Sequence, residues 1–208
     1  MDTPGLRAAV ATERRAVADM LDSLSDQQWA SQSLCEGWTV REVAAHLNLP
    51  FLHSMPSVFV KLIAAKGNFN TVADKLARAD ATMSTRDLAE NIRKNADHKF
   101  TPPGAGYEAP LTDNVLHGLD IRVPLGLGRK IPEATVRAVL DTLTTPRTAK
   151  FFKTSYAGVT LQATDLDWTS GSGPCVSGTG DDFMLLFGAR PGAIERLSGE
   201  GVAVLQNR

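Results

Sequence analysis

The stretch Leu34-Cys35-Glu36-Gly37-Trp38-Thr39-Val40-Arg41-Glu42-Val43-Ala44-Ala45-His46-Leu47 decides the reading of this chain. Thr39 and Glu42 form a capping box, in which the hydroxyl accepts from the amide of the third helical residue and the carboxylate answers to the Thr39 amide. A helix therefore opens at Thr39 and carries His46 among Val43, Ala44, Ala45 and Leu47, until Pro50 and Pro56 kink or interrupt it. An imidazole in that apolar company gains little unless it has a partner.

Upstream, residues 4–23 place Leu6, Val10, Val17, Met20 and Leu21 on one broad stripe, with Arg7, Glu13, Arg14 and Asp19 largely elsewhere. Downstream, Ser84 or Thr85 opens a third helix through about Asp97, with Leu88 and Ile92 inward. Pro110 precedes a fourth, running to Pro124 and Gly126, and Pro132 opens a fifth, running to Leu143. After Phe151 the pattern turns β-like. Residues 159–163 alternate, 171–174 read as a turn, and the apolar run Phe183–Phe187 reads as a buried strand. A short helix over 191–197 and a last strand over 202–205 complete the expectation. The predicted fold class is mixed, α + α/β: a bundle of four or five helices over residues 1–147, then a small α+β domain over 148–208.

Composition narrows the function classes. With 208 residues, 43% apolar and 22% charged, the chain is globular rather than disordered or fibrous. The net charge of -1 comes with no basic block, so nucleic acid is not an expected partner. Pro50, Pro56, Lys61 and Lys66 break the apolar stretches well short of the ~20 residues a membrane crossing needs, and residues 1–15 lack the apolar core of a secretory signal. A cytoplasmic protein without a membrane partner is expected. Cys35 and Cys175 form no CxxC pair and are expected as reduced thiols.

In the fourth helix Asp113, His117 and Asp120 are spaced by four and three, within an arc of about 60°. A carboxylate and a histidine at i and i+4, joined by His46 from another helix, make a three-ligand divalent metal site with one coordination position open. The same residues also serve a plainer architecture, with an i,i+4 surface ion pair and a hydrogen-bonded core histidine. Asp120 is either a reserve ligand or the acceptor for a ligand histidine's other ring nitrogen. His53 and His98 read as solvated or structural, Trp29 and Trp38 as packing for the first two helices rather than stacking on a ligand, and Cys35, close to the capping box, either as facing the pocket or, with no adjacent base, as a buried inert thiol.

The stretch from Leu34 to Leu47 resembles the GWTVRxxxAHL signature of the mycothiol-dependent maleylpyruvate isomerase family, a branch of the DinB-like metal-binding bundles. His117-Gly118-Leu119-Asp120-Ile121-Arg122 resembles that family's HGxD(I/L)R motif, and Asp167–Gly171 followed by Phe187–Arg190 looks like its sterol-carrier-like second domain. The resemblance implies His46 and His117 as metal ligands and Asp113 as the acidic one, where the family usually has Glu. It further implies a divalent metal, most often zinc, that binds the thiol of mycothiol and favours its deprotonated form. Such a thiol would isomerise, or be transferred to, a small electrophilic substrate, with Arg190 as a candidate catalytic residue that binds a substrate carboxylate or else an exposed arginine after a strand. Two other readings stay open: a non-catalytic ligand-binding protein with a structural or absent metal, and a metal-dependent hydrolase without a thiol cofactor.

Overall fold

The computed structural model describes residues 1–207. Its backbone contacts divide the chain into two compact units, Asp2–Gly128 and the part from Arg129 onward.

The first unit contains α1 (Thr3–Asp22), α2 (Asp26–Trp29), α3 (Val40–Leu52), α4 (Met55–Ala64), α5 (Phe69–Asp80), α6 (Thr85–Lys94) and α7 (Glu108–Arg122). Helix α1 packs on α6 and α7, and α3 packs on α5, α6 and α7. Several of these starts are capped by a local side chain. Asp2 accepts from the Gly5 amide ahead of α1, Ser84 from the Asp87 amide ahead of α6, and Thr39 with Glu42 completes the expected capping box of α3. Val17, Leu21, Val43, Ala44, Leu47, Leu88, Ile92 and Ile121 meet in one core. Two buried polar side chains tie that core together. The Asn48 amide donates to the Ala44 and Leu88 carbonyls and accepts from Asn91, while the Arg14 guanidinium donates to the carbonyls of Asn95, Ala96 and His98. Because these groups are hydrogen-bonded, their burial costs little; removal of either partner would not be cheap.

Pro50 does not end α3, which runs on to Leu52; the chain bends before Pro56 instead, by 118° between α3 and α4. The break falls at His53 and Ser54, whose backbones are extended, and Pro56 sits in the first turn of α4, where a missing amide hydrogen costs no helical bond. Helix α4 buries none of its residues, and Met55, Phe59, Val60 and Ile63 stay exposed. Neither α4 nor α5 was expected from the sequence. No single helix among the described residues is long and apolar enough to cross a membrane.

The second unit contains α8 (Glu133–Leu143), α9 (Pro146–Phe152), β1 (Thr160–Ala163), β2 (Thr169–Gly171), β3 (Cys175–Gly178), α10 (Gly180–Phe187), a 3-10 turn (Ile194–Arg196) and α11 (Val202–Gln206). The sheet order is β2-β1-β3, with β1 antiparallel to β2 and parallel to β3. Helix α8 packs on α10, and Trp168 Nε1 donates to Asp141 Oδ1 at 3.0 Å. The helix expected as the fifth of the bundle therefore belongs to this unit: Val136, Val139, Leu140 and Leu143 are buried here.

Three expectations about this half are corrected. The run Phe183–Phe187 is helical, because Thr179 and Asp182 form a further capping box that starts α10. Residues 202–205 are likewise helical, in α11, and the helix expected over 191–197 is only the short 3-10 turn. A short apolar run fits a strand or a buried helix equally well until its cap is recognised.

Candidate metal centre

His46 lies in the second turn of α3, and Asp113 and His117 lie one turn apart on α7. Asp113 Oδ1 is 3.6 Å from His46 Nε2 and 3.5 Å from His117 Nε2, and one donor atom from each of the three residues falls within 4.8 Å of the others. Nitrogen and oxygen ligands bound tetrahedrally at about 2.0–2.1 Å stand about 3.3 Å apart, so this donor set fits a divalent ion after small shifts. The side chains of His46 and His117 are 12% and 11% exposed, and that of Asp113 is 43% exposed, so the triad is enclosed on the histidine side and open on the other. The aspartate, one methylene shorter than the glutamate usual at this position, reaches both histidines.

The two imidazoles are oriented differently. His117 Nδ1 is 2.9 Å from Asp120 Oδ2, and Asp120 is wholly buried. That contact turns Nε2 toward Asp113. Asp120 thus meets His117 at the ring nitrogen away from Asp113, and together with Cys35 and His117 it forms a second group of donor atoms within 4.8 Å of one another. His46 Nδ1 is buried without a hydrogen-bond partner, and its ring is held by packing, with Trp38 at 5.2 Å and His117 at 4.7 Å between centroids. Trp38 is fixed in turn by its Nε1 donating to Asp74 Oδ1 at 2.8 Å.

Electrostatics follow from this crowding. Burial disfavours the charged form of His117, but the hydrogen bonds to Asp120 and Cys35 and the charge of Asp113 outweigh it and push the pKa up to about 10. Enclosure likewise raises the pKa of Asp113, yet His46, the charge on His117 and the more distant Arg14 hold the carboxyl below its usual range. Both shifts mark a compact array of opposite charges, the kind that functional sites concentrate.

Sequence reasoning left two residues of this region out of the candidate site. Cys35, expected either to face the pocket or to be inert, has Sγ 3.0 Å from Asp120 Oδ2 and 3.6 Å from His117 Nδ1. Trp38, expected as packing for the first helices, lies against His46 with the ring planes tilted by 43°. Their nearness to Gly37 was the available signal: it takes φ +74, and the tight turn carries both side chains toward α7 and α3. His53 pairs with Asp80 at 2.7 Å, and His98 Nδ1 accepts from the Phe100 amide, so neither joins the triad. Arg190 lies in the other unit, where it lines a cavity of about 270 Å³ with Tyr156, Leu186, Phe187, Ile194 and Leu205, and its Nη1 donates to the Gly188 carbonyl at 2.7 Å.

Comparison with known proteins fits these features. A crystal structure of the mycothiol-dependent maleylpyruvate isomerase shares the fold with a TM-score of 0.66 at 15% identity, covering 96% of this chain and 93% of that one. A histidine-to-alanine mutant of that isomerase matches with a TM-score of 0.65 at 13% identity and the same coverage. No curated protein sequence matches the chain. Residues 10–122, which hold all three residues of the triad, match the family model described as the mycothiol maleylpyruvate isomerase N-terminal domain, and the chain belongs to that family.

Proposed function

We propose that this protein is a mycothiol-dependent enzyme of the isomerase type whose thiol cofactor is activated at a divalent metal held by His46, Asp113 and His117. The observation that carries the reading is the convergence of two largely enclosed imidazoles, each through Nε2, on one half-exposed carboxylate within the matched family domain. Three protein donors with an open side are the hallmark of a catalytic rather than a structural ion, and two nitrogens with one oxygen suit zinc. An ion bound there would favour the thiolate of an incoming thiol, a nucleophile able to add reversibly to an unsaturated diacid and so permit cis-trans isomerisation. The protein's own part is positional. Asp120 holds His117 by its far nitrogen, Trp38 packs against the His46 ring, and Asp113 supplies the negative charge that balances the site.

Arg190 stays a candidate for binding a carboxylate in the cavity of its own unit. A guanidinium can bind a carboxylate bidentately, and the apolar lining of its cavity strengthens such a contact by excluding water. Replacement by Lys would keep the charge and lose the fork; Arg190→Lys should lower kcat/KM by about tenfold, mainly through KM.

The deciding experiment is elemental analysis of the purified protein followed by titration with mycothiol and with a simple thiol. Stoichiometric zinc, tight mycothiol binding that chelation abolishes, and maleylpyruvate isomerisation that needs both are expected. A protein that binds mycothiol and turns over substrate equally well after complete metal removal overturns the reading.

A further inference from the structure

We propose that Cys35 is a positioning residue for His117, acting through Asp120. The Cys35 thiol donates to the carboxylate oxygen that accepts the His117 Nδ1 proton. The inference rests on the reading of His117 as a metal ligand and adds a side chain that the reading leaves idle.

The geometry has three parts. One oxygen, Asp120 Oδ2, lies 3.0 Å from Cys35 Sγ and 2.9 Å from His117 Nδ1. The main chain reinforces this pair, because the Leu34 amide donates to the Asp120 carbonyl at 3.0 Å, so the loop before α3 is fastened to α7 at both backbone and side chain. The loop is itself fixed: the Cys35 amide donates to Ser33 Oγ at 3.1 Å, and its carbonyl accepts from the Trp38 amide at 3.0 Å. The thiol therefore has little freedom to turn away.

Ring geometry separates this role from that of a ligand to the His46, Asp113 and His117 site, although Cys35, His117 and Asp120 also bring donor atoms within 4.8 Å of one another. Nδ1 and Nε2 lie on opposite edges of an imidazole, and Cys35 approaches Nδ1 while Asp113 approaches Nε2. The sulfur thus sits behind the ring, away from the position where an ion would bridge His46, Asp113 and His117. A neutral thiol donating to a buried carboxylate is a clamp: with donors on Oδ2 from two directions, the carboxylate plane is set, and with it the direction of the His117 Nε2 lone pair. Deletion of the thiol removes one of those donors from a wholly buried acceptor, whereas a hydroxyl in its place restores a donor.

The test uses the full-length protein with three exchanges, Cys35→Ser, Cys35→Ala and Asp120→Asn. Zinc affinity is measured by chelator competition, and the His117 Nδ1 proton is followed by NMR without metal. Cys35→Ala should weaken zinc by about tenfold and Asp120→Asn by about tenfold to a hundredfold. Cys35→Ser should bind nearly as the parent does. The Nδ1 proton should be downfield and slow to exchange in the parent and Cys35→Ser, and lost to exchange in Cys35→Ala. An unchanged proton signal in Cys35→Ala overturns the proposal, and so does a sulfur-to-metal charge-transfer band in the cobalt-loaded parent without added thiol, which would make Cys35 a ligand. If the parent binds no zinc while the proton signal still follows Cys35, the metal reading fails and the clamp stands.

Discussion

Asp113 makes contact with both histidines from the shorter of the two acidic side chains. Its Oδ1 already lies 3.5–3.6 Å from each Nε2, so a glutamate would have to draw back to keep the same oxygen in place. Asp113→Glu should therefore bind zinc no tighter than the parent, against the expectation from side-chain length alone. Asp113→Asn removes a full charge from beside two imidazoles and should weaken zinc at least about tenfold more than Asp113→Glu does. Chelator competition ranks the variants, and an Asp113→Asn protein that binds like the parent would show the acidic ligand to be misassigned. Replacing both His46 and His117 by Ala should leave no stoichiometric metal by elemental analysis.

Helix α10 carries two features whose energies can be measured separately. Its N-terminus is held by Asp182, which accepts from the Thr179 amide at 3.0 Å and from Arg196 Nε at 2.5 Å. Burial raises the Asp182 pKa, but the Thr179 hydrogen bonds and Arg196 prevail and hold it below the usual aspartate range. A carboxyl depressed in the folded state stabilises fully above its unfolded pKa, and that contribution is lost as pH falls through the folded one. Asp182→Ala should cost about 1–2 kcal/mol at neutral pH and progressively less below about pH 4, read from denaturant midpoints in the two conditions. At the other end, the Arg190 amide donates to Leu185 and the Ala189 amide to Leu186, a Schellman ending with Ala189 at φ 54. A side chain in that left-handed conformation is strained. Ala189→Gly should raise stability by about 0.5–1 kcal/mol, and thermal or denaturant unfolding would expose a wrong sign.

The division of the chain near Gly128 bears on the whole molecule. All three triad residues and Cys35, Trp38 and Asp120 lie within Asp2–Gly128, so a chain ending at Gly128 should fold, show helical circular dichroism and bind zinc. A chain ending at residue 147 would keep α8 without α10, exposing Val136, Val139, Leu140 and Leu143, and should aggregate more readily by light scattering. The reverse ranking would place α8 with the bundle. That boundary was not legible in the sequence, because an amphipathic helix announces its apolar face but not the surface that will cover it. What the sequence determined by itself was local or periodic: the capping box at Thr39, the α1 stripe, the i,i+4 pair of Asp113 and His117, and the candidacy of His46. These depend on backbone geometry within a few residues. The tertiary structure alone decided that His46 meets that pair and that Cys35 reaches Asp120 across 85 positions of chain. Such contacts arise from the packing of α3 and α7 against a shared core, and no spacing along the chain encodes them.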